Sequence, residues 1–432
     1  MTPSAAITPG PPLWSIGPFV AMVLAIAVLP LLVERWWQSN RNKAIVSALL
    51  GLPVAIYFAA TDVGALTRTA LEYAAFVNLL SVLYIISGGI HIRGGSAGTP
   101  LANTATLGIG AVLANAIGTT GASMLLIRPL LRANEHRCHR AHVVIFFIFI
   151  VSNIGGCLTP LGDPPLFLGF LHGVPFQWTL RLWPQWLFTN GMLMVIFNIV
   201  DQYMFNQEKL ADKGSLMDKV QPEKPIEIEG KRNFILLAGV VAAVFLGGSI
   251  IYPRYGETPS KVYQIIVSAV FSVLSLAITH RQVRYENRFS WHPIVEVIVL
   301  FAGIFATIIP ALQLLEARGP GLGISRPWQY FWASGALSSF LDNAPTYLSF
   351  WSLAQYLPDE VAGTTHRVLA AISCGAVFMG ANTYIGNGPN FMVRSIAEHS
   401  GVRMPSFFGY MAWAGVILLP LFFMVMLLFF TG

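Results

Sequence analysis

The chain has 432 residues, of which 55% are hydrophobic and only 11% are charged, and its mean hydropathy is +0.63. Soluble domains carry about 25% charged residues, so this composition excludes soluble, disordered and fibrous classes and leaves a polytopic membrane protein. The net charge of +6 fits the excess of Lys and Arg that membrane proteins hold in cytoplasmic loops, so no nucleic-acid partner is expected.

Apolar stretches of about 20 residues can cross the bilayer core as helices. In chain order they lie near residues 15–33, 44–60, 70–90, 141–172, 182–205, 233–252, 261–279, 293–316, 367–398 and 405–430. Two more, 101–133 and 328–357, are interrupted at their centres by residues 118–121 and 342–345. We interpret each as a re-entrant helical hairpin, because irregular backbone within a membrane must be satisfied by protein or trapped water. The alternative is an ordinary kinked helix.

The distribution of basic residues predicts an orientation. With the N-terminus outside and two hairpins, 19 of the 26 Lys and Arg residues fall on the inside and 7 on the outside. Reading either hairpin as a full span would reverse every later loop. The sequence therefore predicts a multi-pass protein with both termini outside. The first stretch has no basic residue ahead of it and is followed by Glu34 and Arg35, so it is not interpreted as a cleaved signal peptide.

Two halves of similar pattern flank a charged segment. Residues 206–232 carry 12 charges in 27 positions and are predicted to form a cytoplasmic linker between membrane repeats at 1–205 and 233–432. A shift of 224 positions aligns 161–167 with 385–391 and one hairpin tip with the other. The predicted fold is an all-α polytopic membrane protein with two inverted-topology repeats, each containing a re-entrant hairpin and a broken transmembrane helix. This architecture is typical of secondary transporters.

The broken span of the first half carries the first candidate site. Its glycines and prolines prevent a continuous helix and free backbone carbonyls to bind an ion. Asn153 and Thr159 add neutral oxygens and Asp163 adds a carboxylate, an all-oxygen set of the kind that hard cations such as Na⁺ prefer. The alternative is a proline kink in which Asp163 caps a half-helix.

The other three interrupted segments supply further polar groups. An ionised carboxylate near the bilayer centre pairs, binds a cation or takes up a proton, so Asp163 and Asp342 are the predicted Na⁺ and H⁺ sites. The four segments contain these two acids and neither Lys nor Arg, which favours a small cation over a di- or tricarboxylate. The remaining candidate ligands are Asn115, Thr119 and Thr120 in the first hairpin, Asn343 and Thr346 in the second, and Asn382, Thr383, Asn387 and Asn390 in the second broken span.

Other classes fit less well. An intramembrane aspartyl protease needs a matched acid pair, but the 224-residue shift places Asp163 on Asn387, and a passive channel needs no paired broken helices. No enzymatic activity and no cofactor are therefore expected beyond transported Na⁺ and H⁺. The segment 136–142 is interpreted as a basic loop rather than a metal site. Glu72, Glu296 and His91 are interpreted as interfacial, with a proton path through Glu296 and pH sensing by His91 as the alternatives.

Three motifs give the chain a resemblance to the ion transporter superfamily, which includes citrate-transporter-like proteins, arsenite permeases and NhaD-type sodium/proton antiporters. They are Gly-Asp-Pro-Pro at 162–165, Leu-Asp-Asn-Ala-Pro-Thr at 341–346 and the run 383–393. The resemblance covers essentially the whole chain and is strongest to a bacterial branch, which implies the inner membrane. It also implies a homodimer and an elevator-like cycle, in which two hairpins and two unwound helices move against a scaffold.

The resemblance implies functional roles for most of the candidate ligands. The Ser-Asn-Thr hairpin signatures of dicarboxylate carriers are absent, since the tips here read Gly-Thr-Thr and Asp-Asn-Ala. This departure favours a sodium/proton antiporter. A Na⁺-coupled carrier of citrate or another carboxylate, or an arsenite-type oxyanion permease, is the alternative. The Na⁺ and substrate contacts that the family implies are Asn115, Thr119, Thr120, Asn153, Asp163, Asp342, Asn343, Thr346, Thr383, Asn387 and Asn390.

Overall fold

A computed structural model describes residues 11–95, 98–171, 174–211, 224–318, 323–341, 343–354 and 365–431. Across these residues the protein is almost entirely helical. In the described ranges, eight helices are long and apolar enough to span a membrane. The predicted all-α, polytopic membrane fold is confirmed.

The helices of each half follow one another with short connections. The first half comprises α1 (Gly17–Leu32), α2 (Asn40–Thr61), α3 (Val63–Gly88), β1 (His91–Gly95), α4 (Pro100–Ala133), α5 (Ala141–Ile150), α6 (Pro164–Leu171) and α7 (Trp183–Ala211). The second comprises β2 (Lys224–Glu229), α8 (Arg232–Leu246), α9 (Glu257–Ile278), α10 (His292–Arg318), α11 (Pro327–Ser338), α12 (Asn343–Ala354), α13 (His366–Met379), α14 (Gly388–His399) and α15 (Phe407–Phe429).

Helix α4 doubles back on itself at Gly118. That residue has φ 79° and ψ 154°, a conformation outside the helical region that glycine adopts without a steric penalty. Gly110 and Leu126 would be about 24 Å apart in a straight helix. In the structure, a Cβ built on Gly110 lies 3.2 Å from Leu126 Cδ1, and Gly98 donates a backbone hydrogen bond to Ala133. This segment is therefore a hairpin and not a kinked rod.

Both broken helices have the same backbone course. After α5, a 3-10 turn at Ile154–Leu158 leads to Thr159, which is extended (φ −137°, ψ 153°), and helix resumes at α6. After α13, a 3-10 turn at Gly380–Asn382 leads to Thr383, also extended (φ −136°, ψ 167°), and helix resumes at α14. The breaks occur where glycines and prolines were expected to interrupt the helices.

The same hydrogen bond occurs in both halves, at positions related by the shift of 224. Thr159 Oγ1 donates to the carbonyl of Asn115, and Thr383 Oγ1 donates to the carbonyl of Ser339. Asn115 and Ser339 are equivalent under this shift, as are the two threonines. Both bonds tie a broken helix to the interrupted segment before it. These contacts favour the interpretation that the two halves are structurally related.

The buried centre and the periphery are distinct. In the segment Ala141–Leu158, which contains α5, 89% of the residues are buried. In the most apolar 18 residues of α9, only 11% are buried. Apolar side chains of α9 such as Ile266 and Val273 face outward. Helix α5 therefore packs within protein, and α9 has the apolar exterior expected of a lipid-facing helix.

A small sheet connects the two halves. Strand β1 pairs antiparallel with β2, with His91 opposite Glu229 and Ile92 opposite Ile228. Strand β2 and the end of α7 both fall within the predicted linker 206–232. The sequence analysis did not anticipate the strand, although Ile-Glu-Ile-Glu at 226–229 has the alternation typical of one.

Candidate functional site

The carboxylate of Asp163 lies where the hairpin α4, helix α12 and the two broken helices meet. It immediately precedes α6 and is 1% exposed. Thr119 Oγ1 donates to Oδ1 at 2.8 Å, Asn387 Nδ2 donates to Oδ1 at 3.3 Å, and Asn343 Nδ2 donates to Oδ2 at 2.5 Å. Each of these three donors is neutral and each belongs to a different one of the surrounding elements. The structure thus brings four predicted site residues into direct contact.

An amide network extends the site between the two helix breaks. Asn387 Nδ2 also donates to Asn153 Oδ1 at 3.2 Å, and Asn153 Nδ2 donates to Asn390 Oδ1 at 2.7 Å. Asn390 Nδ2 in turn donates to the carbonyls of Gly380 and Thr383 at 2.8 and 2.9 Å. All three asparagines are buried. Buried polar groups are costly unless they are hydrogen-bonded, so this network fixes the two non-helical segments against each other.

Other predicted ligands hydrogen-bond to the backbone. Asn115 Nδ2 donates to the Gly155 carbonyl at 2.7 Å, and Asn115 Oδ1 accepts from the Leu158 amide at 2.8 Å. The hydroxyls of Thr159 and Thr383 donate to the carbonyls of Asn115 and Ser339. Asn382 is the exception, because its Nδ2 donates to a side chain, Ser339 Oγ, at 3.0 Å. In this arrangement these residues hold the two interrupted segments against the broken helices rather than contacting Asp163.

One acceptor beside the carboxylate is unused. Asn343 Oδ1 is buried and has no hydrogen-bond partner among the described residues, while the Nδ2 of the same amide donates to Asp163. A buried acceptor without a donor is unfavourable and is satisfied by a cation or a water. Thr346 is buried on the same helix, α12. Asp342 lies outside the described residues.

A cavity of about 510 Å³ reaches this site. Residues 118–120 and 160–164, which include Thr120 and Asp163, form part of its wall, together with apolar side chains such as Phe76 and Trp351. Farther along α3 and α9 the wall is charged. Lys261 Nζ lies 2.6 Å from Glu257 Oε1 and 3.3 Å from Glu72 Oε1. Both glutamates and the lysine lie on the predicted outer side of the protein.

At each helix break, two glycines allow one backbone segment to pack directly on another. A Cβ on Gly162 would overlap the carbonyl oxygen of Gly156, and in the second half a Cβ on Gly386 would lie 2.6 Å from the carbonyl oxygen of Gly380. The Gly162 carbonyl accepts from the Thr119 amide at 2.8 Å, which joins the break to the hairpin tip. Glycine is required here because backbone packs directly on backbone.

Gly162→Ala is therefore expected to destabilise the protein by about 3 kcal/mol. The added methyl group must displace backbone rather than a flexible side chain, so the melting temperature in detergent and the transport activity should both fall. Gly191→Ala is the matched control, because nothing lies within 4 Å of a Cβ at that helical position. Equal melting temperatures for the two variants would contradict the close approach.

Two buried charged clusters were not foreseen from the sequence. Glu296, which was interpreted as interfacial, forms a buried ion pair with Lys43 and accepts from Ser395 Oγ at 2.6 Å. In the segment 136–142, Arg137 and His142 are buried and contact Asp201 at 2.5 and 2.8 Å. The partners lie far apart in sequence, so spacing gave no signal for them. His91 is buried within β1.

The fold and the buried polar site define a membrane transporter, and comparison with known proteins agrees. Residues 9–430 match the family described as "Putative citrate transport", and the chain belongs to that family. It is similar to a 46 kDa membrane protein of Mycobacterium leprae, with 23% identity over 84% of this chain and 88% of the relative. Uncharacterized transporters of Mycobacterium bovis and Mycobacterium tuberculosis are each 23% identical over 70% of this chain and 71% of their own length.

Proposed function

We propose that this transporter is a sodium/proton antiporter of the bacterial inner membrane and that Asp163 is its exchanging group. The observation that carries the proposal is a buried carboxylate, 1% exposed, that accepts hydrogen bonds from the neutral side chains of Thr119, Asn343 and Asn387. A carboxylate within a membrane protein is stable when it holds a proton or a cation. Because one carboxylate cannot hold both, loading Na⁺ releases H⁺ and the two fluxes are coupled.

The oxygen atoms around Asp163 suit Na⁺. The carboxylate supplies formal charge, and Asn343 Oδ1 supplies an acceptor that has no partner among the described residues. Hard cations are bound by carboxylate, amide and carbonyl oxygens of this kind. Asp342 is retained as a proposed second acid on the sequence argument alone, since it lies outside the described residues.

The arrangement of the helices supports a cycle in which one group of elements moves against another. Hairpins α4 and α11–α12 and both broken helices are joined by the hydrogen bonds at Asp163 and the asparagine network. Helices α2 and α10 pack together, as do α3 and α9. We propose that the first group is the moving part, that the second is the scaffold, and that the two halves have inverted topology in the membrane.

The second candidate is a Na⁺-coupled carrier of citrate or a related carboxylate. The description of the family favours it, as does Lys261, a cation in the wall of the same cavity. A cavity of this volume is of the size that binds small organic ligands. Lys261 is, however, paired with two glutamates, so the cavity wall offers no net positive charge at that point.

Everted membrane vesicles from cells that express the protein test the two candidates directly. With an imposed pH gradient and a pH-sensitive dye, Na⁺ addition alone should dequench the dye, and added citrate should change neither rate nor extent. Since protons compete with Na⁺ for a carboxylate, the half-saturating Na⁺ concentration should fall with rising pH, by up to about tenfold per unit while the acid is mainly protonated.

The opposite pattern would reject the antiporter. If Na⁺ moves no protons and labelled citrate accumulates in a Na⁺-dependent manner, the carboxylate carrier replaces it. Vesicles without the protein give the background for both arms.

A further inference from the structure

A second polar cleft lies at the opposite end of α3 from the charged part of the large cavity. Tyr84 lines this cleft and Glu72 lines the cavity. The two residues are 12 positions apart, which corresponds to about 18 Å along a helix. The cleft has a volume of about 30 Å³. It is formed where the ends of α3, α4 and α14 meet the loop that precedes α10. None of the predicted ion-binding residues that the structure describes lines it.

The lining of the cleft is strongly basic. Among the described residues, four arginines and a single glutamate line it, namely Arg128, Arg132, Arg140, Arg288 and Glu135. Glu135 pairs with Arg288 at 2.8 Å, on the more exposed side of the cleft. The four arginines all belong to the predicted inside of the protein, where basic residues next to a membrane attract anionic lipid headgroups.

Arg128 is the buried member of this set. It is 6% exposed, and its guanidinium lies 4.8 Å from the centre of the Tyr84 ring. Its Nη1 is buried and has no hydrogen-bond partner among the described residues. A buried guanidinium with an unused donor is costly, and an oxyanion is the group that satisfies it most fully.

A second buried donor without a partner among the described residues belongs to another residue that lines the cleft. Ser290 lines the cleft, and its Oγ is buried without a hydrogen-bond partner among the described residues. The Tyr84 hydroxyl donates to the Ser290 carbonyl at 2.6 Å, which fixes this serine beside the aromatic ring. The Arg132 guanidinium is also fixed in position, because its Nη1 donates to Asn287 Oδ1 at 2.8 Å. The cleft is therefore a preformed set of donors around a small volume.

We propose that this cleft binds a phosphate group, with Arg128 and Ser290 as the buried donors and the three outer arginines supplying charge. A guanidinium matches the planar pair of oxygens that a phosphate presents, and several arginines in one cleft are suited to a group that carries more than one oxygen. The phosphate belongs either to the headgroup of an anionic lipid or to free inorganic phosphate.

The test uses the full-length protein purified in an uncharged detergent. One arm titrates inorganic phosphate at constant ionic strength and follows the melting temperature. The other adds phosphatidylglycerol or phosphatidylcholine and measures retained lipid by native mass spectrometry. Stabilisation by phosphate identifies a free-anion site, and selective retention of phosphatidylglycerol identifies a headgroup site. Either result supports the proposal.

Three variants assign the binding to the cleft. Arg128→Gln should weaken binding by about tenfold or more, because it removes a charge-assisted hydrogen bond. Glu135→Gln should tighten it, because it removes the opposing charge at an exposed position and so does not depend on refolding the core. Arg281→Gln, exposed and outside the cleft, should bind as the wild type does. The proposal is overturned if neither probe binds, or if Glu135→Gln and Arg128→Gln both bind with wild-type affinity.

Discussion

Asp163→Asn is expected to reduce Na⁺-dependent proton movement in everted vesicles to the background of vesicles that lack the protein. Asparagine has nearly the same shape as aspartate and can still accept hydrogen bonds from Thr119 and Asn387. It carries no charge and has no proton to release at physiological pH, so it cannot alternate between a cation and a proton. The variant should therefore fold, insert and remain inactive.

Asp62→Asn is the matched control for this prediction. Asp62 caps α3 through a 2.9 Å hydrogen bond from the Ala65 amide, and asparagine caps a helix equally well. This variant should exchange Na⁺ for H⁺ at the wild-type rate. If Asp163→Asn also keeps the wild-type rate at equal expression, the exchanging group lies elsewhere. Asp342→Asn then becomes the decisive variant, because the sequence argument expects it to be inactive as well.

Lys43→Met is expected to lower the free energy of unfolding by about 3 kcal/mol, since it leaves the Glu296 carboxylate buried without its partner. The side chains of the pair are only 4% and 11% exposed, so water cannot replace the lost contact. The melting temperature in detergent measures the effect. The double variant Lys43→Met/Glu296→Leu should recover most of the loss, because a buried ion pair can be replaced by packed apolar side chains at little cost.

The exposed ion pair between Arg288 and Glu135 provides the comparison. Its side chains are 60% and 46% exposed, and Arg288→Met should cost less than about 1 kcal/mol in phosphate-free buffer. A loss for Lys43→Met no larger than that of Arg288→Met would show that leaving Glu296 without Lys43 costs no more than breaking an exposed pair. No recovery in the double variant would show that the loss does not come from the unpaired Glu296 carboxylate.

The helix interruptions could be predicted because their causes are local. Gly118 has φ 79°, which most side chains disfavour, and Pro164 and Pro165 follow directly on the first break. The hairpin prediction for α4 depended on such chemistry and on the balance of charges, and the contact between positions 110 and 126 agrees with it. The repeat signal also has a physical basis, since Gly162 and Gly386 each approach another backbone segment too closely for a side chain.

Pairing between distant residues could not be predicted. Glu296 and Lys43 are 253 residues apart, so helical spacing gave no signal for their pairing. Strand β2 pairs with β1, which lies more than a hundred residues earlier in the chain. Its alternating pattern was not recognised as a strand, because the segment 206–232 was interpreted as a linker from its high charge. Asn115 and Thr159 were expected to contact an ion, yet their polar groups bond to the backbone. The residue types indicated that these polar groups form contacts within the site, but they did not indicate which atoms the groups contact.

The sequence by itself determined the membrane class, the positions of the helices and the places where they break, because hydropathy and backbone chemistry act over a few neighbouring residues. It also singled out Asp163 as an acid that a membrane interior does not tolerate without a partner. Only the tertiary structure decided which side chains surround that acid. Thr119, Asn343 and Asn387 lie 44, 180 and 224 residues from it. Their amides and hydroxyl reach the carboxylate only because the hairpin α4, helix α12 and the two broken helices pack against one another.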